Sequence, residues 1–142
     1  MVCLFCKIAK KEIPAEVLLE TEHTIVFMDI APLSLGHLLV VPKEHHARFD
    51  ELPDTVLLDT ASALKKAACA LKRLGERESK GVFEYNIIQN NGELAGQEIG
   101  HVHFHVIPKT DANDGLVTVW NRKKYSEERT AEICSFLKQE FR

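Results

Sequence analysis

A ten-residue segment, GHVHFHVIPK at positions 100–109, constrains the fold more than any other part of this chain. It places His101, His103 and His105 at every second position. Because successive side chains of a β-strand point to opposite faces, the three imidazoles are expected to share one face, about 6.5 to 7 Å apart. The residues expected on the other face are Val102, Phe104 and Val106. The segment therefore predicts a strand with one apolar face and one face of reactive side chains.

The spacing alone leaves three explanations of the histidine row open. The imidazoles could be structural groups satisfied by hydrogen bonds, although three aligned histidines make that a poor account. Two histidines at i and i+2 could also bind one zinc ion, with a third ligand and an open water position. Alternatively, the central histidine could attack an electrophile, because its histidine neighbours disfavour its protonation and keep it neutral near pH 7.

Length and charge limit the class of protein. With 142 residues and 45% hydrophobic composition, the chain is expected to form one domain over 1–142. Its 18 basic and 21 acidic residues give a net charge of −3, and the basic residues are scattered, which argues against a nucleic-acid partner. The start of the chain lacks the apolar core of a signal peptide, and no apolar run approaches a membrane span. We therefore expect no membrane association and a cytoplasmic location, with the nucleus as a further possibility.

Periodicity and turn residues predict an α+β fold. The expected elements are a short helix over 4–9, strands over 17–20, 24–30 and 36–43, a long helix, a strand over 83–89, the histidine strand, and a final helix from about Ser126. They amount to a sheet of about five mostly antiparallel strands with one principal helix.

The two longer helices carry specific packing predictions. The main helix is expected to begin near Pro53, to end near Gly75 and to cover the sheet with an apolar stripe. The stripe comprises Leu57, Ala61, Leu64, Ala68 and Leu71, with Cys69 as a packing residue beside it. In the last helix, Ser126 is expected to cap the first turn. The residues of that helix expected to pack inward are Ile133, Cys134, Phe136 and Leu137.

The segment NNGELAGQ precedes the histidine strand and has two explanations. Gly92 and Gly96 permit unusual backbone angles, while the amides of Asn90, Asn91 and Gln97 can donate to phosphate oxygens. A hairpin connection built from turn-favouring residues explains the same composition. Adjacency to the histidines favours the phosphate-binding explanation.

Cys3 and Cys6 form a C-x-x-C pair near the start of the chain. In a chain expected to be intracellular, this spacing favours reduced thiols or a metal site over a disulfide. Both thiolates can reach one zinc ion, but redox motifs share the spacing. The pair alone does not decide between them.

These motifs together resemble the histidine triad (HIT) superfamily, and within it the Hint branch of purine nucleoside phosphoramidases. The resemblance covers roughly residues 3–120, which leaves 121–142 as a C-terminal tail and helix. Its motifs occur in the family's order, namely CLFCKI with KEIP, then FMDIAP, GHLLVVPKEH, NNGELAGQ and HVHFHVIP. The resemblance implies a HIT-like fold, a homodimer that joins two sheets, and a site for a purine nucleotide of the AMP or GMP type.

The resemblance also implies a mechanism that needs no metal. His103 would attack the α-phosphorus and form a transient nucleotidyl-histidine, expelling an amine. His105 would contact phosphate oxygens, His37 would support the triad, and His101 would orient His103 through its backbone carbonyl. Fixed donors around the phosphorus suit this chemistry because negative charge accumulates there.

Further residues match the family's ligand-binding positions. Asp29 corresponds to its ribose-binding acid, and Asn90 and Gln97 correspond to its phosphate-contacting amides. The residues that correspond to its purine pocket are Leu4, Phe5, Ile8 and Ile30. Some members hold a structural zinc, whose ligands here would be Cys3, Cys6, His45 and His101. The chain departs from animal Hint proteins at Glu98, where those proteins commonly carry a serine that can help to protonate the leaving amine.

Two alternatives to a phosphoramidase follow. A dinucleoside polyphosphate hydrolase would use the same histidine attack on a different leaving group. A non-catalytic, nucleotide-responsive interaction protein would bind a partner through its dimer surface, with turnover incidental. Trp120 could line the pocket mouth or fold onto a partner subunit.

Overall fold

The computed structural model describes residues 2–78 and 83–141. Its helices are α1 (Leu4–Ala9), α2 (Asp54–Glu78) and α3 (Glu127–Glu140), with short 3-10 turns at Phe49–Glu51 and Glu93–Ala95. Its strands are β1 (Val17–Glu20), β2 (Thr24–Met28), β3 (Leu38–Pro42), β4 (Glu84–Gln89) and β5 (Phe104–Lys109). The strand order is β1-β2-β3-β5-β4, and every pair is antiparallel. The predicted α+β class with a five-stranded antiparallel sheet and one long helix is confirmed.

The central strands are buried on both faces. On one face α2 covers side chains of β2, β3 and β5, including Val26, Val40 and Val106. On the other face Phe5 and Ile8 of α1 pack against a second cluster from β2 and β3. Burial on both sides explains why these strands read as continuous apolar runs, and it leaves α1 lying beside the histidine row.

The histidine row keeps its predicted alternation, although the ladder of β5 begins only at Phe104. Val102 and Val106 are fully buried on the α2 side of the sheet. Ahead of β5, the amide of Val102 donates to the carbonyl of His46 at 2.8 Å. His101 and His103 therefore lie just ahead of the strand, in a segment that is hydrogen-bonded to a neighbouring loop through Val102.

The predicted packing face of α2 is only partly correct. The helix residues that are buried are Val56, Thr60, Ala63, Ala67, Leu71 and Gly75. Of the predicted stripe, Leu71 is buried and Leu57 and Leu64 pack half-buried against the same core, while Ala61 and the neighbouring Cys69 are exposed. The apolar surface of the helix is wider than one stripe, and the sheet takes the side with small residues, since these allow a close approach.

The predicted end of α2 at Gly75 is also wrong, since the helix continues to Glu78. A Cβ at Gly75 would lie 2.8 Å from Cδ2 of Phe83. This glycine therefore provides space for the aromatic ring of Phe83, the residue just before β4, and it does not end the helix.

The last helix is capped as predicted but packs differently. The Ser126 hydroxyl accepts a hydrogen bond from the amide of Arg129 at 3.2 Å. The inward packing predicted for Ile133, Phe136 and Leu137 is wrong for the single chain, because all three are exposed and α3 has no buried residue. Cys134 is likewise exposed. Amphipathic periodicity predicted the helix but not what covers it.

Within residues 2–78 and 83–141, none of the helices combines the length and the apolar character needed to cross a bilayer.

Candidate active site

His103 lies in the middle of the histidine row with its protonation pattern set by the backbone. Its Nδ1 lies 2.7 Å from the carbonyl oxygen of His101. A carbonyl can only accept, so Nδ1 carries the hydrogen and Nε2 of the neutral ring keeps its lone pair. Phe5 packs edge-on against the His103 ring at a centroid distance of 5.0 Å. The ring is thus held in one orientation and one tautomer, with a nucleophilic nitrogen opposite the anchored one.

His37 and His105 form a hydrogen-bonded relay beside it. The amide of Leu33 donates to Nδ1 of His37 at 3.1 Å, so the hydrogen of His37 is on Nε2. That Nε2 lies 2.9 Å from Nδ1 of His105 and donates to it. Nδ1 of His105 is then an acceptor, and its Nε2–H is left as a donor. The ring of His105 stands 4.9 Å from that of His103, where such a donor can serve a ligand.

Burial keeps the relay neutral. Desolvation, assisted by the nearby His103 and His37, lowers the pKa of His105 to about 4. Burial also lowers the pKa of His37, against the opposing effect of the Asp29 carboxylate. Both rings are therefore uncharged at pH 7, and the tautomers assigned above apply there.

Asp29 lies at the end of β2, next to the relay. One carboxylate oxygen accepts a hydrogen bond from the amide of Ala31 at 2.8 Å. The other lies 3.5 Å from Nε2 of His37. The carboxylate is fixed at one edge of the triad and keeps part of its surface open to a ligand.

The four residues predicted to form a purine pocket differ in exposure. Phe5 and Ile8 are buried in the cluster beside the triad. Leu4 is 41% exposed and Ile30 is 98% exposed. The structure thus places Phe5 as a support for His103, while Leu4 and Ile30 present apolar surface to solvent.

The amides predicted to contact phosphate are engaged within their loop. Nε2 of Gln97 donates to the carbonyl of Ala47 at 2.8 Å, and Oε1 of Gln97 accepts from the amide of Gly92 at 2.7 Å. Nδ2 of Asn90 donates to the carbonyl of Gly96 at 3.2 Å. These bonds give the loop one shape. Glu98 follows Gln97 with an exposed side chain.

Four predicted metal ligands meet near the N-terminus of α1. The ligand atoms of Cys3, Cys6, His45 and His101 all lie within 4.8 Å of one another. Nδ1 of His101 lies 3.3 Å from Sγ of Cys3 and 3.2 Å from Nδ1 of His45, and Sγ of Cys6 lies 3.4 Å from Nδ1 of His45. Tetrahedral zinc with ordinary Zn–N and Zn–S bonds separates its ligands by about 3.3 to 3.8 Å. The donor set and its spacing fit a zinc ion.

The proton positions also fit a metal. Nε2 of His101 donates to the carbonyl of Pro42 at 2.8 Å, which leaves the lone pair on Nδ1, toward the thiols. Burial, with the nearby His45, lowers the pKa of His101 to about 4, so the ring is neutral. Burial and the neighbouring Cys3 raise the pKa of the Cys6 thiol, and a bound cation would favour its thiolate.

Asp29, His37 and His105 form a second group whose ligand atoms lie within 4.8 Å of one another. Here the hydrogen bond from Leu33 places a proton on Nε2 of His37, between the other two residues. The group is therefore a hydrogen-bonded relay.

Sequence reasoning missed the backbone groups that set these tautomers. They are the carbonyl of Pro42 and the amide of Leu33. Every residue carries such groups, so no side-chain pattern distinguishes the few that face an imidazole. The nearest signal in the sequence is Pro42, near the end of the motif GHLLVVPK that predicts the third strand.

Comparisons with known proteins find similar sequences and a similar fold. The family model described as "HIT domain" matches residues 10–112. An uncharacterised HIT-like protein of Methanocaldococcus jannaschii is 44% identical over 138 residues, covering 96% of this chain and 97% of that protein. The adenosine 5'-monophosphoramidase of Saccharomyces cerevisiae is 44% identical over 118 residues, covering 83% of this chain and 69% of that enzyme. The crystal structure of a histidine triad nucleotide-binding protein from Candida albicans is similar at a TM-score of 0.87 and 40% identity, covering 98% of this chain and 96% of that chain.

Proposed function

This chain belongs to the HIT domain family, and on that premise we propose that it is a nucleotide hydrolase, a purine nucleoside phosphoramidase that cleaves the P–N bond of nucleoside monophosphate amides. The observation that carries the proposal is the 2.7 Å hydrogen bond between Nδ1 of His103 and the carbonyl of His101. It holds the ring rigidly and leaves Nε2 free to attack. Similarity to adenosine 5'-monophosphoramidases of three yeasts supports the reaction class.

In the first step, Nε2 of His103 attacks the α-phosphorus. A bond forms between Nε2 and phosphorus, the P–N bond breaks, and the departing amine takes a proton from water, since Glu98 offers no hydroxyl. Nε2–H of His105 donates to a phosphoryl oxygen as negative charge accumulates. The neutral relay suits this step, because the Nε2–H of His105 is already oriented as a donor before the substrate binds.

In the second step, water attacks the nucleotidyl-histidine. An O–P bond forms, the Nε2–P bond breaks, and Nε2 of His103 regains its lone pair while the water releases a proton to solvent. The product is a nucleoside monophosphate. The hydrogen bond from Nδ1 to His101 persists throughout and shares the positive charge that the ring carries in the intermediate.

Asp29 and the surrounding apolar residues form the proposed nucleoside site. The carboxylate of Asp29 would accept hydrogen bonds from the ribose hydroxyls, because an ionised carboxylate is an acceptor only. Leu4 and Ile30 would cover the faces of the purine, and their exposed side chains give binding an apolar gain. Phe5 and Ile8 would form the floor of the pocket.

Asn90 and Gln97 would stabilise the phosphate through their loop. Both amides brace that loop, with Gln97 joining Gly92 to Ala47. In the bound state each side-chain amide would exchange one of these internal hydrogen bonds for one to a phosphate oxygen. Alternatively, it would keep its internal bonds and hold the loop so that backbone amides donate to the phosphate.

A structural zinc is proposed at Cys3, Cys6, His45 and His101. When bound, the ion would supply a cross-link between α1, the segment after β3 and the start of the histidine row. The catalytic steps do not pass through it. The ring of His101 would hold the ion while its carbonyl holds His103.

We further propose that the protein is a homodimer formed through β4 and α2. β4 is an edge strand of the sheet, and an edge strand can pair with another strand through its outer hydrogen-bonding groups. Beside it lies a largely apolar groove lined by Ala61, Leu64, Ala68, Cys69, Phe83, Tyr85 and Ile87, with Lys65, Lys72 and Glu76 also on its wall. Of the predicted α2 stripe, Ala61 is exposed there and Leu64 and Ala68 are half-buried.

Trapping the intermediate tests the function. Purified protein is mixed with adenosine phosphoramidate, quenched in the millisecond to second range and examined by intact mass spectrometry under conditions that preserve phosphohistidine. We expect a mass increase of one adenylyl group, located by peptide mapping to His103. In His103→Ala the adduct should be absent and turnover should fall by at least about 1,000-fold, while AMP binding measured by calorimetry is retained.

Two results would redirect the proposal. Faster turnover of diadenosine polyphosphates than of the phosphoramidate would identify the polyphosphate hydrolase instead. If the wild-type protein binds nucleotide but shows neither adduct nor turnover, the non-catalytic interaction protein becomes the favoured function. His23→Ala is the matched control, because this histidine lies at the distant β1–β2 turn.

A further inference from the structure

The last residue of β5, Lys109, has its ammonium group surrounded by backbone carbonyls of the loop that follows. Nζ of Lys109 lies 2.8 Å from the carbonyl oxygen of Asp114, 2.9 Å from that of Leu116 and 3.3 Å from that of Ala112. An ammonium has three donors, and three acceptors converge on it here. Lys109 therefore holds the 110–116 loop in one shape by an interaction that a neutral side chain of similar length cannot make.

The same shape presents Gly115 to the segment that precedes β3. The carbonyls held by Lys109 flank Gly115, whose amide donates to the carbonyl of Leu33 at 3.2 Å. Gly115 has φ of +70°, and a Cβ there would lie 2.6 Å from the carbonyl oxygen of Pro108. Only glycine lets the loop pass this closely over β5.

Leu33 is in turn the residue whose amide sets the tautomer of His37. Its N–H donates to Nδ1 of His37, while its carbonyl is held by Gly115. The next residue, Ser34, is fixed as well, because its buried hydroxyl donates a hydrogen bond to the carbonyl of Pro108 at 2.6 Å. Leu33, whose amide controls the relay, is thus fixed through its own carbonyl from the 110–116 loop, and through the neighbouring Ser34 from β5.

We propose that Lys109 is a positioning residue for the His37–His105 relay, acting through Gly115 and Leu33 to keep the hydrogen of His37 on Nε2. If Leu33 shifts, Nδ1 of His37 loses its donor and can take the hydrogen itself. Nε2 of His37 then accepts from Nδ1 of His105, and Nε2 of His105 turns from a donor into an acceptor. An acceptor repels the phosphoryl oxygens, so the step that develops negative charge is slowed. The catalytic consequence rests on the proposed function, whereas the tautomer itself does not.

The test is a long-range ¹H–¹⁵N spectrum of the histidine rings in full-length protein without substrate. In the wild type we expect His37, assigned by its loss in His37→Asn, to carry its hydrogen on Nε2. In Lys109→Met a measurable fraction should move to Nδ1, and kcat on adenosine phosphoramidate should fall by about 3- to 10-fold with KM within about 2-fold. Thr110→Val is the matched control, because it removes only the hydrogen bond between the Thr110 hydroxyl and the Asp114 carboxylate within the same loop. It should leave both the tautomer and kcat unchanged.

A folded Lys109→Met protein with the wild-type tautomer of His37 overturns the proposal. If Lys109→Met does not fold, Gly115→Ala tests the next link, and an unchanged tautomer in that protein overturns the proposal equally. Absence of phosphoramidase activity in the wild type would contradict the proposed function alone, because the spectra report the relay without any turnover.

Discussion

One residue, His101, joins the candidate nucleophile to the candidate metal site. Its carbonyl oxygen lies 2.7 Å from Nδ1 of His103, and its ring directs Nδ1 toward Cys3 at 3.3 Å. The peptide that orients the attacking imidazole is therefore the backbone of a proposed zinc ligand. A change at the metal site is expected to reach the chemistry through His101, and also through Phe5, which lies between the two cysteines and packs against the His103 ring.

Metal removal is expected to lower both stability and turnover. Protein purified without chelator should contain one zinc per chain by elemental analysis, and EDTA or Cys3→Ser should lower Tm. Because His101 positions His103, kcat/KM should also fall by about 10-fold. Cys134→Ser is the control, since that thiol is exposed on α3 and lies outside the cluster. A zinc-free preparation whose melting is unchanged by EDTA contradicts the site.

Stability is expected to fall as the pH is lowered from 6.5 toward 4. Burial lowers the pKa of His105 to about 4, and that of His37 is lowered too, while both rings titrate near 6.5 in the unfolded chain. Between these values the unfolded chain binds more protons, so the free energy of unfolding rises with pH and the stabilisation is complete above about 6.5.

Urea unfolding at a series of pH values, with EDTA present throughout to separate the effect from metal loss, measures this slope. His105→Gln should make it less steep without abolishing it, because His37 and His101, whose pKa values are also lowered, contribute to the same slope. An equal slope in wild type and His105→Gln would show that the ring is not buried in its neutral form.

Asp59 is expected to stabilise the β1–β2 turn from α2. Oδ2 of Asp59 accepts hydrogen bonds from the Thr21 hydroxyl at 2.6 Å, the Thr24 hydroxyl at 2.8 Å and the amide of His23 at 3.1 Å. Asp59→Ala leaves three donors without this acceptor and should lower the free energy of unfolding by about 2 to 4 kcal/mol. Asp50→Ala, which removes only an exposed contact with Arg48, should change it by less than about 0.5 kcal/mol. Urea titrations at pH 7 and equal protein concentration compare them, and equal losses would contradict the assignment.

The groove between α2 and β4 is expected to bury a second copy of the chain. Ile87→Lys places a charge on the edge strand inside this groove and should convert the protein to monomers in light scattering after size exclusion. Leu58→Lys is the control, since Leu58 is exposed on α2 outside the groove and should leave the assembly unchanged. A wild-type protein that is monomeric at micromolar concentration contradicts the dimer.

Local pattern was sufficient for much of the fold. The period-two alternation around His103 predicted which side chains face the core, and Val102 and Val106 are buried accordingly. The serine cap of α3 was equally local, because the hydroxyl and the amide that it caps lie three residues apart. Such predictions succeed because the determining contacts lie within one turn or one strand.

Predictions about what a helix face contacts were less successful. The long helix offered two apolar sides, and only the position of the sheet decided that Ala63 and Ala67 would be buried while Ala61 stays exposed. For α3 the sequence supplied an apolar side, but Phe136 remains 58% exposed in the single chain. Amphipathicity records that a face is apolar and does not identify its partner.

By itself, the sequence determined which chemistry is available: three alternating imidazoles, two thiols at metal-binding spacing and an acid at the end of β2. Only the tertiary structure decided how each ring is protonated, through the carbonyls of Pro42 and His101 and the amide of Leu33. It also brought Cys3 beside His101, 98 residues away along the chain. The physical reason is that side-chain identity is written in the sequence, whereas the direction of a hydrogen bond depends on which backbone groups the folded chain places beside each ring.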